Sequence, residues 1–342
     1  MARAALPVVT VVLTALVAVP GPASAVAVHD ATLTTNITFV GSGSCTRSGP
    51  GDRTEGPVAV VADGQRHLSQ ATSGDRATAP VPNTDDTTDL SASASTTYTA
   101  TQTGGVLSGL DVAVDLAAHV VTSKGAANLC NTRAQAQSLL DLSFDLPAPR
   151  LVTVTVTVDG PVSGRASFTD ASFAQTDIGA RAGGSTISSQ TVLPAGTSKF
   201  FLEGFISLDP PSPGHPQPTD AAGTVHTTVA VQVPGTATNE VSTGRGGNYV
   251  DLADGRGCAG GTLAATWKKK AGKGEHRAIK KAVFAVNGNP IATVKKPKKG
   301  QVTTLTGLPP GAVEVEVRLV KAKGAKGSHG PGTLTRSYLP CL

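Results

Sequence analysis

Valine and threonine alternate in RLVTVTVTVDG, residues 150–160, near the middle of the chain. In an extended chain the valines at 152, 154, 156 and 158 point one way, and the threonines between them point the other way. A period of two built from β-branched residues is typical of a strand with one buried face, and the Asp-Gly pair that follows favours a turn. The stretch predicts a strand, and we expect it to pair with residues 139–146 through the proline break at 147–149.

Other alternating stretches, such as SLLDLSFDL (138–146) and TVHTTVAVQV (224–233), are separated by Gly- and Pro-rich segments. Only 4% of the residues are aromatic, so the cores must consist of Val, Leu, Ile and Ala, which suits thin sandwiches of short strands. We therefore expect an all-β protein with two β-sandwich domains that meet near residue 256. The polar stretch 72–89 is expected to be a long surface loop, and the Gly-rich stretch 235–257 a connection.

Two regions resemble modules of secreted proteins. A strand, a proline break, a second strand and an LPAG turn at 193–196 make residues 135–235 similar to the jelly-roll-like sandwiches of uncharacterised bacterial secreted proteins. The Asn287-Gly288 hairpin signal and the closing TRSYLPC (335–341) resemble the immunoglobulin-like modules at the ends of secreted actinobacterial proteins. The resemblance implies a jelly-roll-like domain over residues 26–256 and an immunoglobulin-like module over residues 257–342, and it implies no activity.

Residues 1–25 are predicted to be a Sec-type signal peptide. Arg3 precedes an apolar run at 6–19, and the small residues Ala23, Ser24 and Ala25 predict cleavage after Ala25. No later stretch is long and apolar enough to span a bilayer. We expect a secreted, extracellular protein that is not embedded in a membrane; its oligomeric state is left open.

Four cysteines, Cys45, Cys130, Cys258 and Cys341, agree with export, because disulfides persist in oxidising compartments. Four cysteines allow three pairings, and sequence alone does not choose among them. The spacing favours Cys45 with Cys130 and Cys258 with Cys341, one bond for each predicted domain. None of the four belongs to a CxxC pair, so we expect no zinc site.

The charge is divided unequally along the chain. Residues 1–257 hold 13 Lys and Arg against 21 Asp and Glu, a net of −8, whereas residues 258–342 hold 16 against 3, a net of +13. Such an asymmetry favours binding of the basic part to a polyanion, although charge runs are often only solvated surfaces. The predicted polyanion-binding residues are Lys268, Lys269, Lys270, Lys273, Lys295, Lys296, Lys298, Lys299, Lys321, Lys323 and Lys326.

The partner that these lysines favour is an anionic cell-wall or extracellular polymer. Docking of the basic module against the acidic part of the chain is the alternative. Sequence-specific nucleic-acid recognition is not expected, because the sequence contains neither a recognition helix nor a set of stacking aromatics. Trp267 stands beside the first lysine run and is interpreted as a core residue.

No catalytic motif is present: the seven histidines are scattered and no GxSxG sequence occurs. The GRGCAG sequence at 255–260 has the spacing of a dinucleotide-binding loop, but it lacks the flanking strand and helix and is interpreted as a linker. Asn83, Asp85, Asp86 and Asp89 suggest calcium, but their spacing matches no regular calcium loop. We predict a non-enzymatic protein without cofactor or metal; the alternative is a carbohydrate-binding or carbohydrate-active protein that uses the N-terminal sandwich.

Overall fold

The structure is a computed structural model that describes residues 28–41, 44–124, 129–170, 172, 174–180, 184–210, 219–244, 246–268, 279–321 and 332–341. The predicted signal peptide lies outside the described residues. The fold is an all-β sandwich of antiparallel sheets, with one four-residue α-helix among the described residues, and the predicted fold class is confirmed. Among the described helices none is long and apolar enough to cross a membrane.

Thirteen strands form the first sandwich. They are β1 (Val28–Val40), β2 (Thr46–Ser48), β3 (Arg53–Ala59), β4 (Arg66–Thr78), β5 (Thr87–Thr103), β6 (Val106–Thr122), β7 (Arg133–Leu146), β8 (Arg150–Asp159), β9 (Ser163–Thr169), β10 (Gln175–Ala180), β11 (Ser185–Leu193), β12 (Gly196–Leu208) and β13 (Asp220–Gln232). A six-stranded sheet of order β10-β9-β12-β7-β1-β3 and a seven-stranded sheet of order β11-β8-β13-β6-β5-β4-β2 enclose one apolar core.

Strand β8 is the strand that the alternation at 150–160 predicts. Its valines are buried in the core and its threonines are half-buried on the outer face. The predicted pairing with residues 139–146 is wrong: β8 lies between β11 and β13, whereas β7, which contains those residues, lies in the other sheet between β1 and β12. The proline-containing stretch 147–149 carries the chain from one sheet to the other and does not close a hairpin.

The polar stretch 72–89 is largely strand, and its prediction as a long loop is wrong. Strand β4 runs to Thr78 and β5 begins at Thr87, and the two pair along the whole of β4. The inward positions of β4 hold small or polar residues, including Ser69, Ala71 and Ser73, which are buried. A strand whose buried face is not apolar shows no hydrophobic alternation, so the sequence gives no strand signal here.

Eight strands and one short helix form the second sandwich. They are β14 (Ala237–Thr243), α1 (Gly246–Tyr249), β15 (Val250–Leu252), β16 (Leu263–Trp267), β17 (Ile279–Val286), β18 (Asn289–Lys295), β19 (Val302–Leu305), β20 (Val313–Lys321) and β21 (Thr333–Tyr338). A five-stranded sheet of order β14-β21-β20-β17-β18 and a three-stranded sheet of order β15-β16-β19 enclose a separate core that includes Trp267, Phe284 and Tyr338.

Residues 235–257, predicted to be a Gly-rich connection, contain β14, α1 and β15. Ala237 of β14 pairs with Tyr338 and Val250 of β15 pairs with Trp267, so both strands belong to the second sandwich although they precede residue 257. Residues 255–260, interpreted as a linker, connect β15 to β16, and Gly257 and Thr262 bridge each other there. The division into two domains stays a prediction, and the sheet pairing favours a boundary between β13 and β14.

The two predicted disulfides, Cys45–Cys130 and Cys258–Cys341, are confirmed. The first joins the residue before β2 of the seven-stranded sheet to the segment before β7 of the six-stranded sheet. The second joins the 3-10 turn Cys258–Gly260 to the segment after β21. Each sandwich therefore has one covalent cross-link of its own.

Candidate functional site

Lysines with described side chains gather at one end of the second sandwich, which we call the basic end. They are Lys268, Lys280, Lys281, Lys295, Lys296, Lys298 and Lys299. Strand β16 ends there, β17 begins there, β18 ends there and β19 begins there. Antiparallel pairing produces this gathering, because wherever one strand ends its partner begins.

The lysines of β17 and β18 face each other across the sheet. Lys281 lies directly opposite Lys295, and the backbone N–H of Lys296 donates to the carbonyl oxygen of Lys280 at 3.2 Å. Like charges directly opposite each other in an antiparallel pair are destabilising. The basic end thus contains a repulsion that a bound anion would relieve.

The turn between β18 and β19 lies beside the end of β16. The N–H of Gly300 donates to the carbonyl oxygen of Trp267 at 2.8 Å, and the N–H of Trp267 donates to the carbonyl oxygen of Gln301 at 2.9 Å. These bonds bring Lys298 and Lys299, which precede Gly300, next to Lys268. The end of β16 and the turn before β19 therefore lie side by side, and this brings together lysine runs that are 30 residues apart in the sequence.

The other predicted lysines have no described side chains. Lys321 is the last residue of β20 and lies opposite Ile279, the first residue of β17; its side chain lies outside the described residues. Five further lysines also lie outside the described residues, in the segments 269–278 and 322–331: Lys269, Lys270, Lys273, Lys323 and Lys326. Those segments join β16 to β17 and β20 to β21 at strand ends that lie at the basic end. Polyanion binding by this set stays a prediction.

Most described carboxylates of the second sandwich pair with groups other than these lysines. Lys268 Nζ lies 3.1 Å from Asp251 Oδ1, and it is the one ion pair between a lysine and a carboxylate among the described residues of this sandwich. Glu316 pairs with Arg318 at 2.7 Å, and this hydrogen bond lowers the pKa of Glu316. Glu314 lies at the end of the sandwich opposite to the basic end, where its backbone N–H donates to Asn287 Oδ1 at 2.8 Å. The positive field of the basic end is thus little neutralised by its own sandwich.

Trp267 lies next to this cluster but does not face it. Its side chain is buried, its Nε1–H donates to Thr303 Oγ1 at 3.1 Å, and its ring packs edge-on against Phe284 at 6.2 Å between centroids. The interpretation of Trp267 as a core residue is confirmed.

A second charged surface, which the sequence did not predict, lies on the first sandwich. Asp111, Asp115, Asp159 and Asp220 are exposed on the outer face of the neighbouring strands β6, β13 and β8, and we call this surface the acidic face. Asp115 and Asp159 both lie opposite Thr224, one on each side. In the central described strands β5, β6, β8, β11 and β13 the single Lys or Arg is Arg150, at the start of β8.

Two histidines pair with carboxylates of the acidic face. His119 Nδ1 lies 2.5 Å from Asp220 Oδ1, and His226 Nε2 lies 3.0 Å from Asp111 Oδ1. All four side chains are at least 40% exposed, so these pairs orient the carboxylates without removing them from solvent. Each ring bonds to its carboxylate, and a catalytic arrangement would also need a nucleophile that such a pair activates.

Two adjoining depressions of about 320 and 370 Å³ lie on the same face. Both are lined by Ser93, Ala117 and Ala222, and His119 and Asp115 lie at their margins. The depressions exist because the outward residues at the centre of the sheet are small. They offer a shallow surface with hydroxyl and carboxylate groups around it.

The loop that suggested calcium holds an ammonium group instead. Lys124 Nζ lies 2.9 Å from Asp85 Oδ2 and also pairs with Asp86, and this contact lowers the pKa of Asp85. Asp89 lies in β5 and pairs with Arg76 at 3.4 Å. Among the described residues no group of His, Cys, Asp or Glu has the arrangement of a metal site.

Comparison with known proteins leaves the family open. A scan against family models and a search of curated proteins found no match. Among solved structures, the chain is similar to TmCBM61 in complex with β-1,4-galactotriose, with 10% identity over 30% of this chain and 69% of that one and a TM-score of 0.20. A GH2 β-galacturonidase from Eisenbergiella tayi bound to galacturonate has 9% identity and a TM-score of 0.16 over 58% of this chain and 35% of that one. Such distant similarities assign neither a ligand nor an activity to this chain.

Proposed function

We propose that the protein is secreted, acts without catalysis at the cell envelope or in the extracellular space, and attaches through its basic end to an anionic polymer. One observation carries this proposal: strand pairing brings lysines from separate parts of the sequence, Lys268, Lys280–Lys281 and Lys295–Lys299, to one end of the second sandwich. The two disulfides support an oxidising compartment.

An anionic polymer suits this surface better than a single small anion does. Each exposed lysine contact with a negative group is worth at most about 1 kcal/mol, so attachment needs several contacts at once. A polymer that repeats its charge supplies them from one molecule, with a gain from effective concentration. Lysine acts as a flexible point charge and tolerates different phosphate or carboxylate geometries. Teichoic-type polymers and acidic polysaccharides have this chemistry.

The test is retention of the chain from Val26 onward on a resin that carries an anionic wall polymer or heparin. The variant Lys295→Gln/Lys298→Gln/Lys299→Gln removes three charges from the basic end, and we expect its affinity at low salt to fall about tenfold or more. Its control, Arg133→Gln/Arg165→Gln/Lys199→Gln, removes the same charge from exposed positions on the six-stranded sheet. Equal elution of the two variants, or elution of the wild type without dependence on salt, would contradict the proposal.

Carbohydrate binding by the first sandwich is the second candidate function. The observation that favours it is the pair of depressions, whose lining includes the amide of Gln70 and the hydroxyls of Ser93, Ser95 and Thr224. Small side chains leave room for a sugar ring, and these polar groups are able to bond its hydroxyls.

A glycan array with neutral and anionic sugars tests this second function on the whole chain. The variant Ser93→Leu fills both depressions and should abolish any neutral-sugar signal, whereas Thr38→Leu, on the outer face of β1 in the other sheet, should retain it. Absence of neutral-sugar binding by the wild type rejects this function and leaves the polymer-binding proposal intact.

A further inference from the structure

We propose that the basic end of one copy of the protein docks on the acidic face of a second copy, so that the chain forms head-to-tail assemblies at low ionic strength. This goes beyond polymer attachment, because the partner is the protein itself. It also assigns a role to the acidic face, which polymer attachment does not use.

Charge complementarity identifies the partner. Residues 28–232 hold 10 Lys and Arg against 18 Asp and Glu, a net of −8, and residues 237–341 hold 18 against 6, a net of +12. The outer face of the six-stranded sheet mixes both signs, since Arg165 and Lys199 are exposed there together with Asp141 and Asp177. The centre of the seven-stranded sheet carries carboxylates and two histidines, and in its strands β6, β8 and β13 the single Lys or Arg is Arg150 at the start of β8. A cationic partner is therefore attracted to the acidic face, and the second sandwich of the same protein is such a partner.

The carboxylates of the acidic face stand farther apart than the paired lysines of the basic end, by a distance that lysine side chains are long enough to span. Asp115 and Asp159 stand two strands apart, about 10 Å, and Asp111 stands four residues from Asp115, about 13 Å. Lys281 and Lys295 face each other on adjacent strands, about 5 Å apart at the backbone. Long lysine side chains bridge the difference.

The floor of the acidic face allows such side chains to approach. Ala117 and Ala222 lie between the carboxylates and line both depressions. Lysine stems pack on small apolar surfaces while their ammonium groups reach for charge at the edge. The depressions are thus suited to lysine side chains from another molecule.

The chain enters the second sandwich at the end opposite to the basic end, and this position favours docking between copies. Ala237, at the start of β14, pairs with Tyr338, and the N–H of Gly235 donates to the carbonyl oxygen of Pro340 at 3.1 Å. These residues lie at the end opposite to the basic end. Strand β20 runs between the two ends over nine residues, about 30 Å. The basic end is thus presented far from the chain's own entry point, where a second copy has access to it.

The contact joins different surfaces on the two copies, so it is heterologous. A heterologous contact leaves one acidic face and one basic end free in every dimer, and it continues into rings or open filaments. Assembly should therefore grow with protein concentration and not stop at a dimer.

Sedimentation velocity of the chain from Val26 onward tests the assembly. In about 0.01 M salt, where the Debye length is about 30 Å, we expect the weight-average mass to rise with concentration to about twice the monomer mass or more. In about 1 M salt, where the Debye length is about 3 Å, we expect the protein to remain a monomer. A monomer at every concentration in low salt would overturn the proposal.

A matched pair of variants locates the contact. Asp111→Asn/Asp115→Asn/Asp159→Asn/Asp220→Asn removes the charge of the acidic face and should abolish the rise in mass. Asp30→Asn/Asp141→Asn/Asp177→Asn/Asp209→Asn makes the same change of net charge at exposed positions elsewhere and should preserve it. Equal association of both variants, with melting curves that show both to be folded, contradicts the assignment.

Carbodiimide cross-linking of a mixture of ¹⁴N- and ¹⁵N-labelled wild type is independent of any variant's folding. Cross-links between a light lysine such as Lys298 and a heavy Asp115 support docking between copies, whereas cross-links confined to single chains contradict it. Polymer retention separates this proposal from the function proposed above. The acidic-face variant should bind the anionic resin like the wild type, and the lysine variant should lose both retention and assembly.

Discussion

The two sandwiches carry opposite charge and place it on different parts of their folds. In the first, Asp111 and Asp115 stand within β6, where the pleat fixes their direction and the register fixes their spacing. In the second, Lys298 and Lys299 stand in a connection, and topology decides which other connections lie near them. The acidic face requires three neighbouring strands to pair, whereas the basic end also requires connections of both sheets of its sandwich to come together.

The two charged surfaces also differ in whether neighbouring side chains stabilise their charges. Carboxylates of the acidic face bond to His119 and His226 on neighbouring strands. At the basic end Lys281 and Lys295 repel each other across the sheet. The acidic face should therefore withstand changes in the second sandwich, while the basic end should be lost when its own sandwich is incomplete.

The largest effect is expected from removing the strands that precede residue 257. A fragment of residues 258–342 lacks β14 and β15 and the buried side chains of Tyr249, Val250 and Leu252. These three alone contribute roughly 5–9 kcal/mol of burial, which is comparable to the whole stability of a small domain. We expect the 258–342 fragment to be unfolded and a fragment of residues 234–342 to be folded. The dispersion of amide chemical shifts in NMR spectra distinguishes the two states. A folded 258–342 fragment would show that the charged end does not depend on the complete sandwich.

The next effect concerns Arg256, which is 5% exposed. Its guanidinium donates to the carbonyl oxygens of Pro309 at 2.6 Å and of Pro310 and Leu339 at 2.9 Å, and burial lowers its pKa. Arg256→Ala leaves these acceptors without their donor, and we expect a loss of about 3 kcal/mol from the second sandwich.

Two-step thermal unfolding, followed by tryptophan fluorescence of Trp267 for the second sandwich and by circular dichroism for both, measures this loss. Arg256→Lys keeps the charge but not the planar fork, so it should recover part of the stability. A shift of the first sandwich's transition by the same amount would contradict the independence of the two charged surfaces.

The sequence predicts those parts of the fold whose signal is local. The alternation of Val152 to Val158 predicts β8 and its buried face correctly, since side-chain direction in a strand depends on the period alone. It does not predict that β8 pairs with β11 and β13, because pairing depends on distant segments of similar composition. The strand β4 escapes prediction because its buried positions hold Ser69, Ser73 and other small residues.

The same distinction applies to the charged surfaces. Lysine runs are visible in the sequence because the charges are consecutive, and spacing also favoured the correct cysteine pairs. The acidic face is assembled from four separate residues of three strands, and Asp159 and Asp220 are 61 residues apart. The alternation in β6 indicates that Asp111 and Asp115 point outward, but only the strand order brings them together with the other two.

A smaller effect is expected at the repulsive pair of the basic end. Lys295→Glu places opposite charges directly across from each other with Lys281, and we expect the second sandwich to gain about 0.2–1 kcal/mol. Retention on an anionic resin should fall at the same time, because one positive group becomes negative. Lys299→Glu, in the turn, should lower retention without the gain in stability. A loss of stability in Lys295→Glu would contradict a destabilising repulsion between Lys281 and Lys295 at the basic end.

The smallest effect is a pH dependence confined to the first sandwich. His29 Nε2 lies 3.3 Å from Asp145 Oδ2 and Nδ1 lies 3.5 Å from Asp30 Oδ2; hydrogen bonding to Asp145 raises the pKa of His29 despite partial burial. A raised pKa means that the folded state binds the proton more tightly than the unfolded state. The contribution is therefore fully present below about pH 6.5 and is lost as the pH rises through the raised pKa of the folded state. Since the ring is partly exposed, we expect only a few tenths of a kcal/mol.

Thermal unfolding from pH 5.5 to 8.5 measures this dependence. The first transition of the wild type should lose slightly more stability towards high pH than that of His29→Gln, which keeps a hydrogen-bonding side chain without a titrating group. Asp145 acts in the opposite range: the bond from Thr197 Oγ1 and then His29 lower its pKa, so its contribution disappears only in acid. A difference between wild type and His29→Gln that appears instead in the second transition would show that the two sandwiches are coupled, and their charged surfaces could then no longer be treated as independent.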